Sequence, residues 1–206
     1  MGWSSILSVV IAILVAVALP LALRKRKRTG VQKEEELCQH LQEIGVKAYT
    51  VEAGGKQEKI GLKRSSSEKS MGVIELRDRN VDFINVIGVA TQYGTNYFID
   101  YLVKTPNTAG KQTVKKTRLV RKKSSPFWGK VVSIEWKGDE SLAQSLNFDY
   151  GLQDRLLQSD LKDLKGSIWI FPEPKQGYAR IRTSYSLPSL EAFEAINVIA
   201  KHVKSW

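Results

Sequence analysis

The chain has 206 residues, 42% of them apolar and 26% charged, which is enough apolar material to close a core and excludes a wholly disordered chain. Its formal net charge of +11 is concentrated in two places. Arg24, Lys25, Arg26, Lys27 and Arg28 form one basic run, the segment 104–130 holds nine Lys/Arg and no acid, and the remainder is slightly acidic. The single cysteine, Cys38, excludes an intramolecular disulfide and suits a reducing compartment.

At the N-terminus, Trp3–Leu23 carries no charge over 21 residues, long enough for a helix to cross a hydrocarbon layer about 30 Å thick. Twelve of these residues are Ile, Leu or Val, which favours insertion by roughly 4–7 kcal/mol. Trp3 suits an interface, and Pro20 falls near the end, where a kink costs little. A cleaved signal peptide has its basic residues before the apolar stretch; here Arg24–Arg28 follow it. The order predicts a signal anchor over 1–23, a basic juxtamembrane linker over 24–30 and a domain over 31–206, with a subdivision near 138 left open. Cations retained on the cytoplasmic side place the N-terminus outside and the domain in the cytoplasm of a single-pass cell-membrane protein. The same run attracts an anionic leaflet.

Beyond Thr29-Gly30, the pattern predicts a helix over Val31–Ile44, with Leu37, Leu41 and Ile44 on one face and Gly45 as its stop. Strands are expected over Val46–Glu52 and Lys59–Lys63 around Gly54-Gly55, then, after a polar loop at Ser65–Ser70, over Gly72–Arg77 and Val81–Val89 around Asp78-Arg79-Asn80. Tyr97–Lys104, Thr113–Arg121 and Lys130–Trp136 follow. Connections this short do not hold helical crossovers, so the sheet reads as mostly antiparallel. Asp139–Leu146 reads as a short helix and Leu152–Leu164 as a stronger one, striped by Leu152, Leu156, Leu157, Leu161 and Leu164. Ser167–Phe171, the turn Pro172–Gly177 and Tyr178–Tyr185 make a hairpin, with Ala179, Ile181, Thr183 and Tyr185 on one face and Arg180 and Arg182 on the other. A last helix opens at Ser189 and runs to about Lys204, burying Leu190, Phe193, Ile196, Ala200 and Val203. The fold class is α+β: an antiparallel sheet covered by helices, ending in helix, hairpin, helix.

The sharpest candidate site is basic. Lys111, Lys115, Lys116, Arg118, Arg121, Lys122 and Lys123 fall within thirteen residues and precede Phe127 and Trp128. Three readings fit them. Lysines on an edge strand block sheet-to-sheet pairing, cations beside a membrane bind an anionic leaflet or an anionic protein, and cations interleaved with aromatics bind nucleic acid. No nucleic-acid-binding motif accompanies them. Asp149, Asp154, Asp160 and Asp163 read as a solvated helix face, with no calcium-loop glycine. Cys38 and His40 are too few ligands for a metal. With His202 the only other histidine, no nucleophilic triad is legible, and Trp169 is expected in the core. No phosphate loop or dinucleotide fingerprint occurs, so no catalytic residue, cofactor or metal is assigned. The expectation is a tethered domain acting by binding or assembly, against an enzyme with a cleft site that carries no motif.

Overall fold

The computed structural model describes residues 32–51, 67–105, 114–124, 131–158, 164 and 166–206. The expected anchor, Arg24–Arg28, the hairpin at Gly54-Gly55, Lys59–Lys63, Lys111, Phe127, Trp128, Asp160, Leu161 and Asp163 lie outside the described residues. Among the described residues, no helix is long and apolar enough to cross a membrane.

A helix over 32–43 (α1) leads into β1 (Ala48–Thr50), β2 (Glu68–Leu76), β3 (Phe83–Thr91), β4 (Gly94–Lys104), β5 (Thr117–Lys123) and β6 (Val131–Lys137). Helices α2 (Glu140–Asn147) and α3 (Tyr150–Gln158) follow. Strand β7 (Trp169–Glu173), a short 3-10 turn at Pro174–Gln176, β8 (Tyr178–Ser184) and helix α4 (Leu190–Ser205) complete the chain. All strands join one antiparallel sheet in the order β1-β2-β3-β4-β8-β7-β5-β6. The architecture is thus α+β, as the short connections predicted. The terminal hairpin β7–β8 does not sit at an edge. It separates the β1–β4 meander from the β5–β6 hairpin.

Strand alternation gives the sheet two unlike faces. On one, the register aligns Ile74, Ile84, Tyr101, Ile181, Ile170 and Thr117 in a row, all buried. Leu37 and Leu41 of α1, Leu142 and Leu146 of α2, Leu152 and Leu156 of α3, and Phe193, Ile196, Ala200 and Val203 of α4 belong to the same core. The helices are bounded locally. Gly45 ends α1 at φ +83, a conformation that costs glycine little. The Asp139 carboxylate accepts the Leu142 N–H at the start of α2, and the Ser189 hydroxyl accepts that of Ala192 at the start of α4. Gly138 (φ +143) packs so closely on Lys116 that a Cβ would collide with the Lys116 carbonyl, which fixes the β6–α2 corner against the entry to β5.

Several boundaries and faces differ from expectation. Glu68–Ser70 begin β2 rather than ending a polar loop, because they pair with β3 from Val89 to Ile87. Pro172 and Glu173 extend β7 by pairing with Ala179 and Tyr178. Helix α3 starts earlier than its leucine stripe, since Asp149 accepts the Leu152 N–H and so caps it. Leu157 and Leu190, expected inside, are 37% and 42% exposed. Each lies on the margin of its helix's buried stripe, beyond the reach of the sheet.

Candidate anion-binding surface

The second face of the sheet carries no covering helix among the described residues; it holds a small buried apolar cluster of Val73, Phe83 and Leu102 toward β2–β4 and is polar from its middle to β6. Its register aligns Val73, Asn85, Asp100, Arg182, Trp169, Arg118 and Lys137 across seven strands. Every one of these positions is one residue away from the apolar row on the covered face. Trp169 therefore belongs to the open face and not to the core, since its neighbour Ile170 takes the inward position. Among the described residues, the buried tryptophan is Trp136.

The middle of this row is an ionic network. Asp100 is 0% exposed. Arg182 grips it with two bonds, Nε to Oδ1 at 2.7 Å and Nη2 to Oδ2 at 3.0 Å, and donates its Nη1 to Glu68 at 2.6 Å. Arg180 donates to Asp100 at 3.3 Å and to Glu173 at 2.8 Å. The bidentate fork satisfies a carboxylate that burial would otherwise penalise heavily. The carboxylates Asp100 and Glu68 also hold Arg182 in its charged form, its pKa raised against the opposing effect of desolvation. The two guanidiniums lie over rings, Arg180 over Phe171 at 4.8 Å and Arg182 over Phe98 at 5.4 Å.

Strand β5 divides the predicted basic segment between the two faces. Arg118 and Lys122 alternate onto the open face with Lys116, whereas Arg121 takes the covered side and donates to the Leu164 carbonyl at 3.3 Å. Its partial burial lowers the Arg121 pKa. Arg121 therefore does not belong to the surface it was grouped with. Lys116 and Arg118 lie over Trp169, 5.4 and 5.5 Å from the ring centre, and Trp169 stacks on Phe171 at 6.0 Å and 16°. Lys122 and Lys137 approach Glu135 at 3.8 and 3.2 Å. Among the described residues, Lys115, Lys116, Arg118 and Lys123 have no carboxylate within ion-pair distance. The edge-strand reading holds only for part of the strand. Thr117 and Arg118 pair with β7 and also lie beside β6, so β5 is interior there; beyond Leu119 only β6 pairs with it. The sheet edge at β6 is blocked by another device: the Asn147 side chain accepts from the Trp136 N–H (2.8 Å) and donates to its carbonyl (3.0 Å), standing where a further strand would pair.

A second polar constellation was not legible in the sequence. His202 Nδ1 lies 2.7 Å from the Ser145 hydroxyl and its Nε2 lies 2.8 Å from Asp149 Oδ2. With Asp149 accepting from Nε2–H, Nδ1 is left to accept the hydroxyl proton, the tautomer inferred from these partners. The order is hydroxyl, base, orienting carboxylate, as in nucleophilic catalysis. The setting opposes that chemistry. Ser145 is in the last turn of α2, where the exposed carbonyls carry negative partial charge and destabilise a developing oxyanion. What the chain does hold together is α2, the cap of α3 and the last turn of α4. The His202 hydrogen bond and the Leu152 N–H keep the Asp149 carboxyl below the usual carboxylate range. Separations of 53 and 57 residues hid the contact from sequence. Of the other acids grouped with Asp149, Asp154 is exposed. Shallow clefts flank this chain, one of about 660 Å³ beside Ser145 and Phe148 and one of about 430 Å³ beside His202 and Arg155. Among the described residues no group of three His, Cys, Asp or Glu side chains is placed to share a metal. Cys38 is buried, and His40 bonds the Pro188 carbonyl at 2.8 Å.

The fold and surface define an α+β domain with one helix-covered face and a second face that is apolar toward β2–β4, ionic at its centre and basic toward β5. The chain matches no known family model, no curated protein and no solved structure.

Proposed function

We propose that this chain is a single-pass membrane protein, anchored by residues 1–23, whose cytoplasmic domain works by binding or assembly and takes an anionic partner on the basic surface of β5. One observation carries the reading. On one face, Arg180 and Arg182 are neutralised by Asp100, Glu173 and Glu68, whereas Lys116 and Arg118 of that face, and Lys115 and Lys123 near them in the chain, meet no carboxylate among the described residues. Cations needed for folding have their partners within the fold; these have none among the described residues. The Arg24–Arg28 run adds five charges on the same side of the membrane in this reading. The test is a salt series with the full chain: binding to an anionic partner falls steeply between low and physiological ionic strength, and charge reversal at Lys116 and Arg118 abolishes the salt-dependent part. A salt-independent interaction removes the reading.

A second reading is single-stranded nucleic acid, favoured by the stacked Trp169–Phe171 pair set among cations. In the same series, an oligonucleotide retained more tightly than anionic vesicles, with loss on Trp169→Ala, selects it.

A further inference from the structure

The strand register gives the basic segment a direction. Arg118 stands opposite Trp169, which stands opposite Arg182. From that level β8 runs two residues further to Ser184, while β5 runs four and five residues further in the same direction, to Lys122 and Lys123. The same end of the sheet holds the start of α1. Tyr185, just past β8, donates its hydroxyl to the Lys33 carbonyl at 2.8 Å, and the Lys33 ammonium lies over the Tyr185 and Tyr97 rings at 4.1 and 5.1 Å. The β3–β4 turn at this end carries Tyr93, 91% exposed, and β6 begins there with Val131 and Val132, the latter 58% exposed. Lys69 joins the same level through Gly88 and Tyr97. Lys115, Lys116 and the C-terminal Trp206 occupy the opposite end, around Asp139.

We infer that the sheet end bearing Tyr93, Lys69, Lys122 and Lys123 faces the bilayer and docks on its anionic headgroups. This rests on the anchored reading above and adds to it a membrane contact at the sheet end, separate from the partner surface at Lys116 and Arg118. The eight residues of 24–31 join the expected apolar span to α1 and reach at most about 28 Å, so the start of α1 is held within that distance of the membrane. Lys115 and Lys123 are eight residues apart on one extended segment, roughly 26 Å. The leaflet's field decays over about 8 Å at physiological salt. With this end docked, Lys122 and Lys123 lie inside the field and Lys115 lies outside it. Glu35 and Glu36 in the first turn of α1 oppose docking, and Glu36 accepts the Tyr185 hydroxyl at 3.1 Å. Glu68 is occupied by Arg182 and Glu135 lies near Lys122. Lys33, Lys69, Lys122 and Lys123 outnumber the two exposed carboxylates in the first turn of α1, Glu35 and Glu36, and the linker adds Arg24–Arg28. Tyr93 and Val132 supply the aromatic and apolar contact that an interface accepts.

The test uses the full chain reconstituted in phosphatidylcholine vesicles with and without about a third phosphatidylserine, a fraction chosen to give a strong surface potential. An environment-sensitive dye is placed on Tyr93→Cys or Lys115→Cys; native Cys38 is buried, and the unsubstituted chain gives its background labelling. The dye at 93 shifts and is quenched by lipid-borne quenchers only with phosphatidylserine present, and the dye at 115 responds in neither membrane. Charge reversal of Lys122 and Lys123 removes the response, with each lysine contributing roughly five-fold to the docked ratio, whereas reversal of Lys115 and Lys116 leaves it unchanged. Equal responses at 93 and 115, indifference to the Lys122/Lys123 reversal, or equal response in neutral vesicles overturns the docking. Extraction of the chain by alkaline carbonate instead overturns the anchor, and is scored separately.

Discussion

Two buried carboxylates on opposite faces of the sheet are handled in opposite ways. Asp100, on the open face, is 0% exposed and gripped by Arg182 and Arg180. Glu34, on α1 against the covered face, is 8% exposed and sits over Gly72, where an added Cβ would meet the Glu34 side chain. It has no cation beside it among the described residues, and burial, helped by the neighbouring Glu35 charge, pushes its pKa up to about 7. Depth in the protein thus does not decide whether a carboxyl stays ionised. The local supply of charged donors decides, and the open face has them because alternation in β8 delivers Arg180 and Arg182 to the side away from the apolar core.

The largest effect expected from breaking that contrast is at Arg182. Arg182→Met leaves Asp100 and Glu68 without their shared guanidinium and costs about 3–5 kcal/mol in denaturant unfolding, the typical penalty for orphaning a buried charge. Joint replacement of Asp100 and Arg182 by apolar residues costs less than either single change, because neither charge is then left alone. A double-mutant cycle measures the difference, and additive losses overturn the network reading.

Glu34 comes next. Its carboxyl is raised in the folded state, so the unfolded chain releases the proton first and stability falls as pH rises from about 4.5 to about 7. Glu34→Gln mimics the protonated form. It is expected to match the parent below pH 4.5 and to exceed it above pH 7 by on the order of 2–3 kcal/mol. A difference that does not vary with pH shows that the carboxyl is not raised.

Smaller again is the clasp between helices. Asp149→Ala removes both the cap of α3 and the His202 bond and costs about 1–2 kcal/mol. Because the folded-state carboxyl is depressed, its stabilisation is present above the ordinary carboxylate range and is lost as pH falls through the depressed value. An active-serine phosphonate probe is expected to leave Ser145 unlabelled; labelling that depends on His202 reverses the structural assignment.

These cases also show where the sequence was readable. Period-two alternation in β8 correctly separated Ala179, Ile181 and Thr183 from Arg180 and Arg182, because alternation is a local property. It gave no sign that Asp100, about 80 residues earlier, would stand between those arginines, since register between β4 and β8 is set by packing over the whole sheet. For the same reason the basic segment was legible as charge but not as a surface. Strand alternation assigned Arg121 to one face and Arg118 to the other, and the placement of β7 beside β5 moved Trp169 from expected core to open face. The anchor and Arg24–Arg28 belong to the sequence alone, since they lie outside the described residues.

The finest test lies within one row of the sheet. Arg182 and Arg118 are separated by Trp169 alone, and both lie near aromatic rings. Arg182 has two carboxylate partners; among the described residues Arg118 has none, and its strand neighbour on the other side is Lys137. Reversal to glutamate therefore has opposite consequences. At 182 it adds a third acid to Asp100 and Glu68 and unfolds the domain. At 118 it relieves repulsion from Lys137 and loses only a surface cation–π contact, so stability changes by less than about 1 kcal/mol. Anionic-partner binding responds in the reverse sense, with Arg118→Glu weakening it in a folded protein. If Arg118→Glu destabilises the fold as Arg182→Glu does, the free cations of β5 are part of the ionic scaffold and the surface is not reserved for a partner.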